Sequence, residues 1–415
     1  MRFQCQSRDN VSNERWLSTM VVMLVFGLLL RSPFLTALPI SLMVIFGLAY
    51  WWQKHSLDEV SYKRKFRYRR AFPGESFPVR IEIENRKFLP LAWLRIQDPW
   101  AKAVGPVDED VLAPSHSQDW GFLTHVFSLR WFERTHKTYQ LLFRKRGAYT
   151  IGPAQLESGD LFGIYSKDGK SGGTDQLIVF PALAPLEQFD LPPDNPFGDE
   201  RSRRRLYEDP SRPMGVREYQ PEDSFRRMHW PATARTGQLQ VKVFQPTSAK
   251  VLVLCLNVST YHRYWEGVYP ALLERLLSVA ATLLTEGIES GYRVGMISNG
   301  CLANSDQPFR IPPGRSAQQL SRLLQALAGV TPVVTAPFER FLLREVSQVT
   351  YGASLIVLTA VQTPSLSETL IRLKRHERQI TLISLAEAEP PMIPGVKSIH
   401  LPFVETAVNS QAGAS

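Results

Sequence analysis

The sequence predicts a three-part chain: an N-terminal transmembrane helical hairpin, a small all-β sandwich-like domain, and a C-terminal α/β domain whose parallel sheet is covered by helices. Three observations carry this. Two uncharged apolar runs stand within the first 52 residues. Short segments with period-two alternation follow. After residue 248, apolar runs of strand length alternate with segments of helical periodicity. The expected boundaries are a cytoplasmic N-terminus at 1–15, membrane helices at 16–31 and 34–52, and a β-rich domain at 60–185. A charged linker with a dense motif follows at 186–247, then the α/β domain at 248–405 and a disordered tail at 406–415. A chain of 415 residues is too long for one ordinary core, and 44% hydrophobic with 21% charged residues is a globular balance.

The first run, Leu17–Leu30, is short for a spanning helix, which needs about 20 apolar residues, so Trp16 and Ser18 are expected in the interface. Arg31-Ser32-Pro33 interrupts it. The second run, Phe34–Trp52, is long enough and ends on Tyr50, Trp51 and Trp52, as an aromatic belt would. A cleaved signal peptide and a buried core hairpin are the competing readings. The first leaves the second run unexplained, and the second must cover many uninterrupted apolar residues. Lys54, Lys63, Arg64, Lys65, Arg67, Arg69 and Arg70 follow the hairpin, and Arg2, Arg8 and Arg15 precede it. The positive-inside rule then places both ends in the cytoplasm, as a multi-pass protein of a bacterial inner membrane. These lipid-facing charges account for part of the net charge of +9.

In the β-rich segment, Val79, Ile81 and Ile83 alternate with Arg80, Glu82 and Glu84, the pattern of a half-buried strand. Further strands are expected at Ala92–Ile96, Thr138–Phe143, Ala148–Ile151 and Gln176–Phe180. Asp108 and Asp110 read as a solvated loop. From Asp190 to Arg212, Pro192, Pro193, Pro196 and Pro210 argue against a long regular element. Arg201, Arg203, Arg204 and Arg205 form a basic cluster, either an exposed linker face or a docking patch for acidic lipid or protein.

A dense stretch follows, from Gly215 to Arg235. It holds Gly215, Arg217, Tyr219, Asp223, Arg226, Trp230, Ala234 and Arg235 at the spacing of the family called domain of unknown function 58, which the chain resembles. Glu222 stands where that family usually has Gly, and Met228 where it has a branched aliphatic residue. Arg146-Gly147 through Gly152-Pro153, Asp160-Leu161-Phe162-Gly163 and the apolar hairpin are also similar to it. Read chemically, Arg217, Arg226 and Arg235 can pair with Glu218, Glu222 and Asp223, and Tyr219 and Trp230 offer rings to pack or stack. Opposite charges within one motif favour an internal lock over a binding site for an acidic partner.

In the C-terminal part, Val251–Leu256 reads as a strand buried on both faces. Pro270 starts a helix that Gly287 is expected to stop. Further strands are expected at Tyr292–Ile297, Ser354–Leu358 and Ile380–Leu385. Helices are expected after a Ser316/Gln319 capping box and after a Thr363-Pro364 cap. The family resemblance implies a von Willebrand factor A-like (Rossmann-type) domain, whose Asp-x-Ser-x-Ser signature often holds a divalent metal. Here that signature is Asn257-Val258-Ser259-Thr260-Tyr261, so the key carboxylate is an amide and no tight Mg²⁺ is expected.

No catalytic signature stands out: Gly-x-x-x-x-Gly-Lys, Gly-x-Ser-x-Gly, His-Glu-x-x-His and Gly-x-Gly-x-x-Gly are all missing, so no cofactor is expected. Cys255 lies in an apolar strand and reads as inert. The expected function is that of a membrane-tethered scaffold or adaptor, not an enzyme. The resemblance implies association with AAA+ ATPases of the MoxR type. The alternatives are a hydrolase using Asp223 and His229, and nucleic-acid binding through Arg201–Arg205. The last lacks aromatic interleaving and a recognisable module.

Overall fold

The computed structural model describes residues 10–30, 33–183, 207–221, 223–247, 251–263, 265–303, 305–350, 352–376 and 378–403. The chain divides into two compact units. One comprises Met1–Lys145 with Tyr149–Ile178, and the other Arg146–Ala148 with Val179–Ser415.

The first unit begins with two helices, Asn10–Leu29 and Pro33–His55, packed on each other. Thr36–His55 is long and apolar enough to cross a membrane, and only 11% of its most apolar window is buried, unlike a soluble core helix. The apolar part of the first helix is Ser18–Leu29, short of a span. One spanning helix is therefore supported among the described residues, where the sequence predicted two.

The rest of this unit is all β. One antiparallel sheet joins Val60–Phe66, Ser76–Asn85 and Arg134–Leu142. A second has Leu91–Ala101 between Ala154–Gly159 and Trp120–Leu129, with Ser166–Ser171 and Leu112–Pro114 at its edges. The alternation in Ser76–Asn85 holds, with Val79, Ile81 and Ile83 fully buried. Glu82, on the polar face, is nonetheless largely covered, and Lys65 and Arg134 pair with it. Asp108 and Asp110 are exposed, and Asp108 caps the Asp110 N–H.

Arg64 corrects an expectation. It was counted among the lipid-facing cations, but its side chain is fully buried and pinned to Asp98 at 2.6 Å. Tyr62 and Arg64 point inward from one sheet, and Asp98 and Trp100 from the central strand of the other. The Asp98 carboxylate accepts from Tyr62 Oη at 2.6 Å, Arg64 Nε at 2.7 Å and Trp100 Nε1 at 2.8 Å. Arg64 also donates to the Gly172 carbonyl and to Asp175. Desolvation of two opposite charges is tolerable here because their hydrogen-bonding groups are met.

The second unit carries a two-stranded ribbon, Tyr207–Glu218 with Gln240–Thr247, in the stretch predicted to be a linker. Pro210 does not end it. A two-stranded ribbon has open edges where a missing N–H costs nothing, and the register slips at Pro213 and Gly215.

The main sheet runs in the order Ser305–Gly314, Arg293–Leu302, Val251–Leu256, Ser354–Thr359, Gln379–Ser384, Lys397–His400. All are parallel but Ser305–Gly314, and Val330–Val334 adds a second antiparallel pairing to Arg293–Leu302. Val251, Val253 and Cys255 pack with Phe338, Phe341 and Leu370 from helices Phe338–Val346 and Pro364–Arg375. Successive strand residues alternate, so Leu252, Leu254 and Leu256 face the other side. Helices Pro270–Glu289 and Ala317–Gly329 pack on each other and against this part of the sheet.

Several caps follow the sequence. Thr363 Oγ1 accepts from Leu366 N, and Ser316 Oγ from Gln319 N. The capping box is not reciprocal, because the Gln319 amide is used on the Val294 and Pro312 carbonyls. Gly287 does not stop its helix, which runs to Glu289. Gly291, at φ 80°, makes the turn.

Candidate functional site

Val251–Leu256 has its sequence successor Arg293–Leu302 on one side and Ser354–Thr359 on the other. The connections part at this point, and the carboxyl ends of such strands are where open α/β sheets form their crevices. Asn257 extends the first strand there, Asn299 lies in the second, and Thr359 ends the third.

All three are buried and mutually bonded. Asn257 Nδ2 donates to Thr359 Oγ1 at 3.0 Å. Asn257 Oδ1 accepts from Ser259 N at 3.1 Å and Asn299 Nδ2 at 3.0 Å. Asn299 Oδ1 accepts from Val258 N at 2.8 Å, and Thr359 Oγ1 donates to the Val361 carbonyl. Thr260 Oγ1 accepts from Tyr269 N at 2.6 Å, fixing the start of the following helix. Tyr261 is exposed and takes no part in the network.

These residues do not suit a divalent cation. Asn257 offers only a neutral oxygen that already accepts two hydrogen bonds, and no carboxylate faces it within the network. A hard cation favours charged oxygen donors. No group of three or more His, Cys, Asp or Glu able to hold a metal occurs among the described residues. Asn299 was missed from sequence. Its signal was a polar pair, Ser298-Asn299, inside an apolar strand.

The motif residues sit on and beside the ribbon. Gly215 lies within Tyr207–Glu218 opposite Val243, and a Cβ there would meet nothing within 4 Å. Arg217 Nη1 and Nη2 donate to the two oxygens of Asp223 at 2.7 and 2.6 Å, and Gln220 N donates to the same carboxylate at 3.0 Å. Arg217, and then the Gln220 N–H, hold the Asp223 carboxyl below its usual range. Tyr219 N bonds the Leu239 carbonyl and His229 N the Gln240 carbonyl, closing the loop over the second strand of the ribbon. Met228 is buried beneath it.

The loop's aromatic residues divide. Tyr219 packs on Phe225 at 5.6 Å. Phe225 and Trp230 are 69% and 64% exposed, and Arg227 and Arg235 are exposed beside them. Among the described residues no arginine stacks on Trp230. His229 Nδ1 accepts from Ala232 N at 3.0 Å, capping the short helix Trp230–Thr236. A ring so occupied acts in the described residues as a helix cap, holding the start of Trp230–Thr236. Glu222, the Arg226 side chain and Arg201–Arg205 lie outside the described residues. Cys255 is fully buried, and burial pushes its thiol up to about 12.

The model of the family described as "Protein of unknown function DUF58" matches residues 215–411. "Uncharacterized protein YeaD" of Bacillus subtilis (strain 168) is 24% identical over 276 residues, 66% of this chain and 63% of that protein. The match thus spans less than two thirds of that relative. Among solved structures, the CARDB domain of a Pyrococcus furiosus protein overlaps 29% of this chain and 91% of its own, at 9% identity and a TM-score of 0.20. A non-cellulosomal cohesin from Archaeoglobus fulgidus overlaps 31% of this chain and 94% of its own, at 10% identity and a TM-score of 0.21. Overlaps that small carry no argument about fold or function.

Proposed function

Because residues 215–411 belong to the family described as protein of unknown function DUF58, we propose that this chain is a membrane-tethered scaffold. On this reading the N-terminal hairpin anchors it in a bacterial inner membrane with both soluble units in the cytoplasm. The C-terminal unit is a von Willebrand factor A-like domain that presents a surface to a protein partner, a MoxR-type AAA+ ATPase being the candidate. It acts as an adaptor and not as an enzyme.

One observation carries the reading. The loop pinned by Arg217 and Asp223 exposes Phe225 and Trp230 beside Arg227 and Arg235. Aromatic residues and arginine dominate interface hot spots. A loop already held in shape loses little freedom on binding. The strand order and the polar crevice at the sheet's carboxyl ends support the Rossmann-type reading.

The test is co-purification from detergent-solubilised membranes with the full chain as bait. The native chain is expected to retain a MoxR-type ATPase, and the Phe225→Ala/Trp230→Ala variant to lose it while its thermal transition stays unchanged. Retention by neither chain, or equally by both, overturns the proposal.

A further inference from the structure

Asp160-Leu161-Phe162-Gly163 was singled out in the sequence, and the proposed function leaves it unused. Asp160 is fully buried and holds its loop from inside: Oδ2 accepts from Phe162 N at 3.0 Å and Oδ1 from Tyr165 N at 2.8 Å. The consequence is that Leu161, Phe162 and Ile164 are turned outward. Two other loops of the same unit do the same. Phe88 stacks on Trp131 at 5.8 Å and 11°, and Phe132, at φ 54°, is held in a backbone conformation that non-glycine residues rarely adopt. These six side chains are between 42% exposed (Ile164) and 75% exposed (Phe88).

One of these loops lies against the end of the apolar helix Pro33–His55, a second against the residues just past it, and the third is tied to the second. Lys87 Nζ donates to the Ser56 and Asp58 carbonyls just past it, and Arg86 N bonds the Glu59 carbonyl. Phe132 N bonds the Lys87 carbonyl, joining the second loop to the first. On the third loop, Tyr165 meets Tyr50 edge-on at 6.1 Å, Gln53 Nε2 donates to the Ser166 carbonyl at 2.8 Å, and Lys167 Nζ to the Lys54 carbonyl at 2.6 Å. The exposed apolar surface of the helix, with Tyr50 and Trp51 at its end, therefore continues onto the β-unit. Large apolar side chains clustered at one end of a domain mark a binding surface, and aromatic rings at the end of a spanning helix match the bilayer interface.

We propose that Phe88, Trp131, Phe132, Leu161, Phe162 and Ile164 form an apolar collar that sits in the lipid interface beside the helix, so that the β-unit is seated on the bilayer. This rests on the membrane-tether reading. The occupant is lipid because the loops adjoin the end of the helix that enters it, and because the surface is apolar, its attachment persists at high salt.

The test uses the full chain in phosphatidylcholine vesicles with Cys5→Ser as background. An environment-sensitive maleimide is placed in turn at Phe88→Cys, Phe162→Cys, Val44→Cys on the helix, and Val107→Cys. Val107 lies at the other end of the unit, where its N–H bonds Gln140. Gln140 pairs with Pro78, seven residues along the strand from Asn85, which is ~23 Å at ~3.3 Å per residue. Lipids spin-labelled near the headgroup are expected to quench the labels at 88 and 162, deeply labelled lipids the label at 44, and neither the label at 107, in low and high salt alike. Quenching at 44 with none at 88 and 162 overturns the collar and leaves the anchor standing. No quenching at any position overturns both. Shielding of 88 and 162 from aqueous iodide without lipid quenching assigns the surface to a second copy or a protein partner and overturns the proposal.

Discussion

Replacing Asp98 by Ala is expected to be among the most destabilising single changes in the β-unit. Asp98 takes four hydrogen bonds, from Tyr62, Trp100 and twice from Arg64, and the Arg64 side chain has no access to solvent. Removing one member of a buried pair leaves the other charge uncompensated, at a cost of about 3–5 kcal/mol. Asp175 at 3.2 Å and the Gly172 carbonyl at 3.0 Å still face Arg64, so the lower end, about 3 kcal/mol, is expected. Urea unfolding of the full chain in mild detergent measures it. Arg64→Met/Asp98→Leu removes both charges together, and such apolar replacements are often neutral or stabilising. The double variant should therefore recover most of the loss. A cost under about 1 kcal/mol for Asp98→Ala, or a double variant no more stable than the single, would refute the reasoning. A second readout is Tyr62, whose hydroxyl burial, and then the Asp98 carboxylate, push up. Its titration should fall toward the ordinary range in Asp98→Ala.

Three further outcomes are expected. His125 stacks on Tyr139, with Nε2 2.6 Å from the Tyr139 hydroxyl, and burial, then Lys137, lowers its pKa to about 4. The unfolded value is ~6.5, so between the two the unfolded chain binds the extra proton, and stability falls as pH drops from ~6.5 to ~4, by up to about 3 kcal/mol. His125→Gln should flatten that window in pH-dependent unfolding, and an unchanged slope counts against the assignment. Cys255, pushed up to about 12 and fully buried, should resist maleimide in the native chain and react only on denaturation, read by mass shift. Asn257→Asp should lower the melting temperature without metal, because it buries a carboxylate and removes the donor to Thr359. Millimolar Mg²⁺ should raise it again for the variant and leave the native chain unmoved, and a Mg²⁺ response by the native chain would contradict the mismatch described above.

What was legible in the sequence follows from how local its cause is. Val79, Ile81 and Ile83 announced their strand because a half-buried strand alternates within itself, and Val251–Leu256 because burial on both faces leaves a continuous apolar run. Thr363 and Ser316 announced helix starts because a cap acts across three residues. The Arg64–Asp98 pair was hidden: its partners stand 34 residues apart, and Arg64 between Lys63 and Lys65 looks like one more surface cation. The alternation of Tyr62, Arg64 and Phe66 with Lys63 and Lys65 was the available signal. Pro210 misled, because it lies in the ribbon with Pro213 and Pro246; Pro308, Pro312 and Pro313 likewise lie in the edge strand Ser305–Gly314, where unpaired edges tolerate a missing N–H.

The two units solve the burial of polar groups in opposite ways, and the difference bears on function. The β-unit buries full charges, which is stable only while every partner is in place, and so fixes Val60–Phe66 against Leu91–Ala101 as a rigid seat beside the helix end. At its switch point the α/β unit instead uses amides and hydroxyls that satisfy one another. An aspartate at 257 would carry a buried charge with no cation among its present partners, and its state would then depend on metal supply. Asparagine removes that dependence, because the crevice is complete without a ligand. On the scaffold reading, partner binding therefore cannot be gated by a cation at this position. On that reading control acts on the loop that exposes Phe225 and Trp230, which the half-exposed pair Arg217 and Asp223 helps to hold. A pair exposed on one side contributes little to global stability, so Arg217→Ala should loosen Phe225 and Trp230, and weaken partner retention, without lowering the unfolding midpoint of the sheet.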